Sequence, residues 1–376
     1  MSKTKLYGGI SILVGVTIGA GVLALPHAVA KAGFITGIID VILIGIAMMI
    51  VNLCLGEVTL RTHGNHQLTG YCEKYLGKIG KHLMGASMII GIYGAIIAYT
   101  IGGGESLAQI FGGQSWIWSS IFFAIGIIIV YKGLEVLEES EFSMEIVKLF
   151  IFVIIVLMVF LSGRLETQNL QAFDSWKLFA PYGIVLFAYL GTTAIPEMRE
   201  EMKDHWKELK TAIIAGSTIP IIVYLVFALA VVGIGGEKTA EIATITIGQM
   251  LGSIGLVLAN LFAVLAMFTS FIALGYGLKQ MYNYDYGISK QKSWILTAAV
   301  PVLMLLVGVQ SFSNTLEITG AISGGLAGVL VVLMHIRAKK NGDRKPEYSI
   351  NTTMTGSVIL MAMFIIGAIF TIKGLL

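Results

Sequence analysis

Gly15-Val-Thr-Ile-Gly-Ala-Gly-Val-Leu-Ala-Leu-Pro26 lies inside an apolar run over residues 6–30 that is long enough to cross a bilayer. Three glycines (Gly15, Gly19, Gly21) and Pro26 make a poor continuous helix. In hydrocarbon, a backbone N–H or C=O freed by a break is costly unless something satisfies it, so a break survives where it lines a cavity or meets a ligand. A helix broken near mid-membrane offers N–H groups on one half and C=O groups on the other, which suits a zwitterion and a coupling cation. Gly15-x-x-x-Gly19 also fits a small-residue packing face between helices.

The rest of the chain has the composition of a bilayer protein. Hydrophobic residues make up 56% and charged residues 12%, with mean hydropathy +0.85, whereas a soluble domain carries about 25% charged residues. Apolar segments of spanning length recur at 6–30, 33–60, 83–111, 116–131, 144–163, 179–196, 212–235, 253–282, 294–308, 318–336 and 354–372. The first run continues past any cleavage site and reads as a span rather than a signal peptide. The stretch 239–251 is apolar but interrupted by polar residues, which predicts a short helix in an outer loop. With the N-terminus in the cytoplasm and eleven spans alternating, twenty of the 25 Lys and Arg fall on the cytoplasmic side and five outside. That asymmetry sets a cytoplasmic N-terminus and an extracellular C-terminus in the cell membrane. Charges alternating in sign over 197–210 predict a solvated helix joining spans 6 and 7. Cys54 falls in a span and Cys72 in a polar loop; neither has metal or redox spacing, and both read as free thiols.

Span 6 carries a second weak point, Phe187-Ala-Tyr-Leu-Gly-Thr-Thr-Ala-Ile-Pro196. Spans 1 and 6 each open a five-span group, and they enter the membrane from opposite sides. Interrupted spans at matching positions of two inverted halves point to a transporter site. The chain then reads as one transmembrane domain, with repeats over about 6–163 and 179–336 and an extra helix over about 354–372.

The helix 1 motif, together with Tyr99-Thr-Ile-Gly-Gly-Gly104, Phe268-Thr-Ser-Phe-Ile-Ala-Leu-Gly275 and Glu200-Glu-Met-Lys203, resembles the aromatic amino acid permeases. These belong to the amino acid/auxin permease group of the amino acid–polyamine–organocation superfamily. The resemblance runs through the whole chain. It implies an all-α polytopic protein with the leucine-transporter fold: five plus five inverted helices and one extra, with helices 1 and 6 broken. It implies alternating-access symport of an amino acid, neutral or aromatic, with no cofactor and no obligate protein partner. Carried over by position, the substrate carboxylate meets backbone N–H groups at Ala20 and Gly21. The ammonium meets carbonyls around Thr17 and from Ala188 to Gly191, and Tyr99 and Tyr189 close over the ligand or pack as interfacial aromatics.

Two residue sets compete for the coupling ion. The Ala266 carbonyl and the Thr269 and Ser270 hydroxyls share one face of span 8. With carbonyls of Gly15 and Ile18 they give five oxygens, the arrangement of the family's sodium site. Alternatively, both hydroxyls bond back to their own helix. Lys148 favours a proton instead. Only 14 apolar residues follow it in span 5, about 21 Å of helix in a core of ~30 Å, so it falls within the hydrocarbon. A lysine there can exchange a proton, and in proton-coupled members of the superfamily a helix 5 lysine takes the place of the sodium ion. The plainer reading is a lysine snorkelling to the headgroups. Because like charges a few ångströms apart repel, proton coupling is expected, with sodium coupling as the alternative and a non-transporting amino acid receptor as the alternative of another class.

Other candidates carry less. Asp40, Asn52 and Glu57 lie on span 2, where Glu57 reads as a snorkelling carboxylate rather than a member of a polar network. Glu105 is placed near the outer mouth and His27 on the outer path. His63-Gly-Asn-His66 has too few partners for a metal site. Gly102-Gly-Gly104 lacks the Lys-Ser/Thr of a phosphate loop. No Ser/His/Asp set, carboxylate pair or nucleic-acid pattern stands out, so an enzyme or a nucleic-acid binder is not expected.

Overall fold

The computed structural model describes residues 2–132, 138–284, 286–309 and 311–375. Among them, fourteen α-helices occupy the eleven expected span positions. Span 1 is α1 (Ser2–Thr17) and α2 (Gly21–Ala32), bent by 57° between residues 17 and 21. Spans 2 to 5 are α3 (Phe34–Leu60), α4 (Leu68–Phe111), α5 (Ser115–Lys132) and α6 (Glu138–Leu161). Span 6 is again two pieces, α7 (Tyr182–Ala188) and α8 (Ala194–Glu201). Spans 7 to 9 are α9 (Leu209–Gly235), α10 (Ala243–Tyr284) and α11 (Lys290–Leu306). Span 10 joins α12 (Phe312–Thr319) to α13 (Gly325–Asn341) through a wide turn at Gly320–Gly324. Span 11 is α14 (Met354–Leu375).

Two glycines cut short helices away from spans 3 and 8. Gly77 in α4 (φ 76°, ψ −171°) and Gly252 in α10 (φ 76°, ψ −165°) adopt a conformation that L side chains rarely take. Residues 243–251 thus form the short loop helix expected before span 8. The matching short helix over 68–76 was hidden in a charged stretch. Each sits between the second and third members of its five-span group. Cys72, expected in a polar loop, lies on this helix and is buried.

The helices sort into two bundles. α1, α2, α3, α7, α8 and α9 pack on one another, while α4, α5, α10 and α11 form a second group. α6 packs on both α9 and α10; α12 and α13 both lie against α4, and α13 also lies against α3. Loop contacts divide the molecule into two ends, as alternation requires. At the basic end, Lys5 pairs with Glu201 at 2.9 Å, and Asp343 accepts from Lys74 and from the His63 N–H. At the opposite end, His27 Nδ1 lies 2.7 Å from the Thr239 carbonyl, Asn169 donates to Gly233, and Arg164 donates to Met250. His27 therefore fastens α2 to a loop.

Two expectations at the basic end are corrected. The stretch 197–210 is not one solvated helix: the chain turns at Asp204 (φ 68°), in a region that aspartate tolerates. Arg199 is buried, donating to Thr62 O, Gly64 O and Asn65 Oδ1 and stacking on Trp206. Glu57 does not snorkel; it is 0% exposed. Its Oε1 accepts from Arg61 and from Ser349 Oγ at 2.8 Å. Its Oε2 accepts from His335 Nε2 at 2.9 Å and from the Ile350 N–H at 2.8 Å. This carboxylate ties α3, α13 and the 342–353 linker together. Glu57→Ala is expected to cost about 3–5 kcal/mol, because it strands buried donors. A lower thermal unfolding midpoint of the purified protein checks it.

Candidate functional site

The break in span 1 opens beneath α2. Gly19 N–H turns back to Thr17 O at 2.9 Å, and a tight turn opens α2 with Val22 N–H to Gly19 O at 3.4 Å and Leu23 N–H to Ala20 O at 3.0 Å. The Ala20 and Gly21 N–H groups therefore stand at the start of α2, where a helix has no acceptors of its own. In span 6, α7 ends at Ala188, Leu190 N–H bonds Phe187 O at 3.1 Å, and Ala194 N–H bonds Gly191 O at 3.1 Å. The Ala188 carbonyl at the end of α7 and the Thr17 carbonyl at the end of α1 share one hydrogen-bond donor.

Glycines let the two breaks touch. A Cβ on Gly21 would lie 2.6 Å from Ala188 Cα, and one on Gly191 would lie 2.6 Å from Thr17 Oγ1. Gly19 faces the other bundle, 3.2 Å from Ser270 Oγ and 3.8 Å from Tyr99 Oη when measured from its would-be Cβ. Gly15 has open space at the same position, so Gly15 and Gly19 do not form a joint packing face. Tyr99 pairs with Ser270, and its ring meets Phe187 edge-on at 6.5 Å. Phe187 escaped the sequence reading, since an aromatic in an apolar span has nothing to distinguish it.

Tyr224 on α9 was also missed. It is fully buried, and its hydroxyl lies 2.7 Å from Thr17 O and 2.8 Å from Ala188 O. One hydroxyl proton serves two carbonyls, one from each break. These are two of the carbonyls assigned by resemblance to a substrate ammonium. Tyr224→Phe is expected to lose about 1–3 kcal/mol of stability by leaving buried carbonyls unpaired, read as a lower melting temperature of the ligand-free protein. The Tyr189 ring packs on Tyr224 at 5.1 Å. Its hydroxyl does not reach toward Tyr99; it turns to α3 beside Gly45.

Lys148 on α6 is 4% exposed, so it does not snorkel. Its Nζ donates to Thr269 Oγ1 at 3.0 Å. Thr269 also lies 3.1 Å from Leu265 O and 3.2 Å from Ala266 O, so the hydroxyl bonds back to its helix and receives the lysine as well. The lysine and the span 8 oxygens, read as rivals for one ion, are therefore neighbours, and Ser270 next along reaches the break at Gly19.

The chain matches the tryptophan/tyrosine permease family over residues 2–372. It is 24% identical to glutamine transporter 2 of Aliivibrio fischeri, covering 98% of this chain and 99% of that one. It is likewise 24% identical to tyrosine-specific transport system 1 of Haemophilus influenzae, over 98% and 96% of the two chains. Among solved structures, MhsT in complex with L-phenylalanine superposes with a TM-score of 0.66 over 97% of both chains at 13% identity. That likeness shows the leucine-transporter fold.

Proposed function

Because the chain belongs to the tryptophan/tyrosine permease family, we propose that it is a proton-coupled amino acid symporter. It works by rocking its two bundles about the breaks in spans 1 and 6. Amino acid transport follows from the family; the ion and the substrate class are the proposal. The carrying observation is the Lys148 Nζ on Thr269, one residue from the Ser270 hydroxyl that meets Gly19. A protonated lysine there supplies the positive charge that a sodium ion would supply among Gly15, Ile18, Ala266, Thr269 and Ser270, and the two charges repel if both are present. Release of the proton removes that charge and lets the empty carrier return. Named relatives include a glutamine and a tyrosine transporter, which supports a neutral or aromatic substrate. Its carboxylate is assigned to the Ala20 and Gly21 N–H groups. Its ammonium goes to the carbonyls at Thr17 and Ala188 to Gly191, with Tyr99 beside it. The basic end is assigned to the cytoplasm of a cell with this protein in its bounding membrane.

Uptake of labelled neutral and aromatic amino acids into proteoliposomes tests this, with proton and sodium gradients imposed separately. Accumulation driven by the proton gradient in sodium-free buffer is expected. Accumulation that requires sodium would overturn the lysine assignment, and absence of flux from the purified chain would favour a receptor.

A further inference from the structure

Beside the two breaks lies a small cavity of about 10 Å³ within the first bundle. Thr17 of α1, Asn52 of α3, Tyr189 of span 6 and Ser217 of α9 line it with polar groups, and Met48, Met49 and Gly45 of α3 complete the wall. Asn52 and Tyr189 are both at least nine-tenths buried. Among the described residues, Asn52 Oδ1 and Tyr189 Oη have no hydrogen-bond partner, while Asn52 Nδ2 holds Ser217 Oγ at 3.4 Å. A buried polar atom left without a partner is costly, and two beside one cavity point to a shared occupant.

We propose that this seam binds one ordered water, and that Asn52 positions Tyr189 through it. The volume is close to that needed for a single water, and the site offers the two to four polar partners such a water takes. A water can donate to Asn52 Oδ1 and accept from the Tyr189 hydroxyl, satisfying both orphans. A sodium ion would serve Asn52 but leave the phenol proton without an acceptor, and the lining supplies no negative charge. The surrounding shape is built for the phenol: a Cβ on Gly45 would lie 2.9 Å from Tyr189 Cζ and Oη, so only glycine lets the ring rest on α3. The water bridge then fixes the Tyr189 hydroxyl away from Tyr99 and holds α1, α3, span 6 and α9 together as one rocking unit. Tyr189 faces its ring, not its hydroxyl, toward Tyr224.

A crystal structure of the purified protein at water-resolving resolution tests the site independently of what the transporter carries. A single density peak within hydrogen-bonding reach of Asn52 Oδ1 and Tyr189 Oη is expected. The peak should persist in sodium-free buffer and show no anomalous signal after a rubidium soak. An empty cavity, or a rubidium signal at the peak, would overturn the proposal. Melting temperatures give a second reading. Asn52→Leu and Tyr189→Phe each remove one end of the same bridge, so the double variant should melt no lower than the worse single variant. Additive losses would mean that the two residues act separately. If Asn52→Leu does not fold, the peak in Tyr189→Phe decides alone: it should weaken or vanish, and an unchanged peak would overturn the bridge.

Discussion

Proteoliposomes carrying Lys148→Ala are expected to show no proton-driven accumulation of substrate while still exchanging labelled for unlabelled substrate. The physical basis is the position of the ammonium. It is buried against Thr269, on the helix whose next residue meets the break of span 1 at Gly19. Removing it removes the group proposed to carry the proton, yet leaves the backbone contacts assigned to the substrate. Lys148→Arg sharpens the test. Arginine keeps the positive charge but does not release its proton in proteins, so it too should exchange without accumulating. Measuring both variants under an imposed proton gradient and under counterflow separates coupling from folding. Accumulation at the wild-type level in Lys148→Ala would remove the lysine from the coupling mechanism. Loss of counterflow in both variants would make it a structural charge.

The second large effect is expected at Gly21. A Cβ there would lie 2.6 Å from Ala188 Cα, 2.8 Å from its Cβ and 3.2 Å from its nitrogen. Two of these are backbone atoms, which cannot swing aside. Gly21→Val therefore forces the two broken spans apart where the α2 N–H groups and the α7 carbonyls approach each other. Substrate binding should weaken by more than about 100-fold, equivalent to ~2.7 kcal/mol, as measured by ligand-induced thermal shift or scintillation proximity. Gly19→Ala is the matched control. Its nearest neighbour is Ser270 Oγ at 3.2 Å, the end of a rotatable side chain, so a milder loss is expected. Normal affinity in Gly21→Val would contradict the assignment of the carboxylate to this backbone.

The breaks were legible because glycine and proline announce them, and Lys148 because a charge stands out in an apolar segment. Tyr224 gave no such signal. Its partners are backbone carbonyls 207 and 36 residues away, and a carbonyl has no residue identity to read. Glu57 misled for a related reason. Near a span end, a lone carboxylate resembles a snorkelling one until His335, Ser349 and Ile350 arrive from 278 to 293 residues downstream. The helix over 68–76 was obscured by its own charges, Glu73 and Lys74, which made it look like a loop. Its counterpart over 243–251, apolar apart from a few polar residues, was easier to see.

The carboxylate of Glu57 also sets an order of events during synthesis. The Ile350 N–H that bonds it lies 293 residues further along the chain. At about 5–20 residues per second, a ribosome needs roughly 15–60 s to deliver it. Until His335 arrives, 278 residues on, the carboxylate's partner on its own helix end is Arg61, four residues along. The 342–353 linker is thus the last clamp to close on a helix that was among the first to enter, and a chain that stops before it would hold ten spans around an unfinished joint.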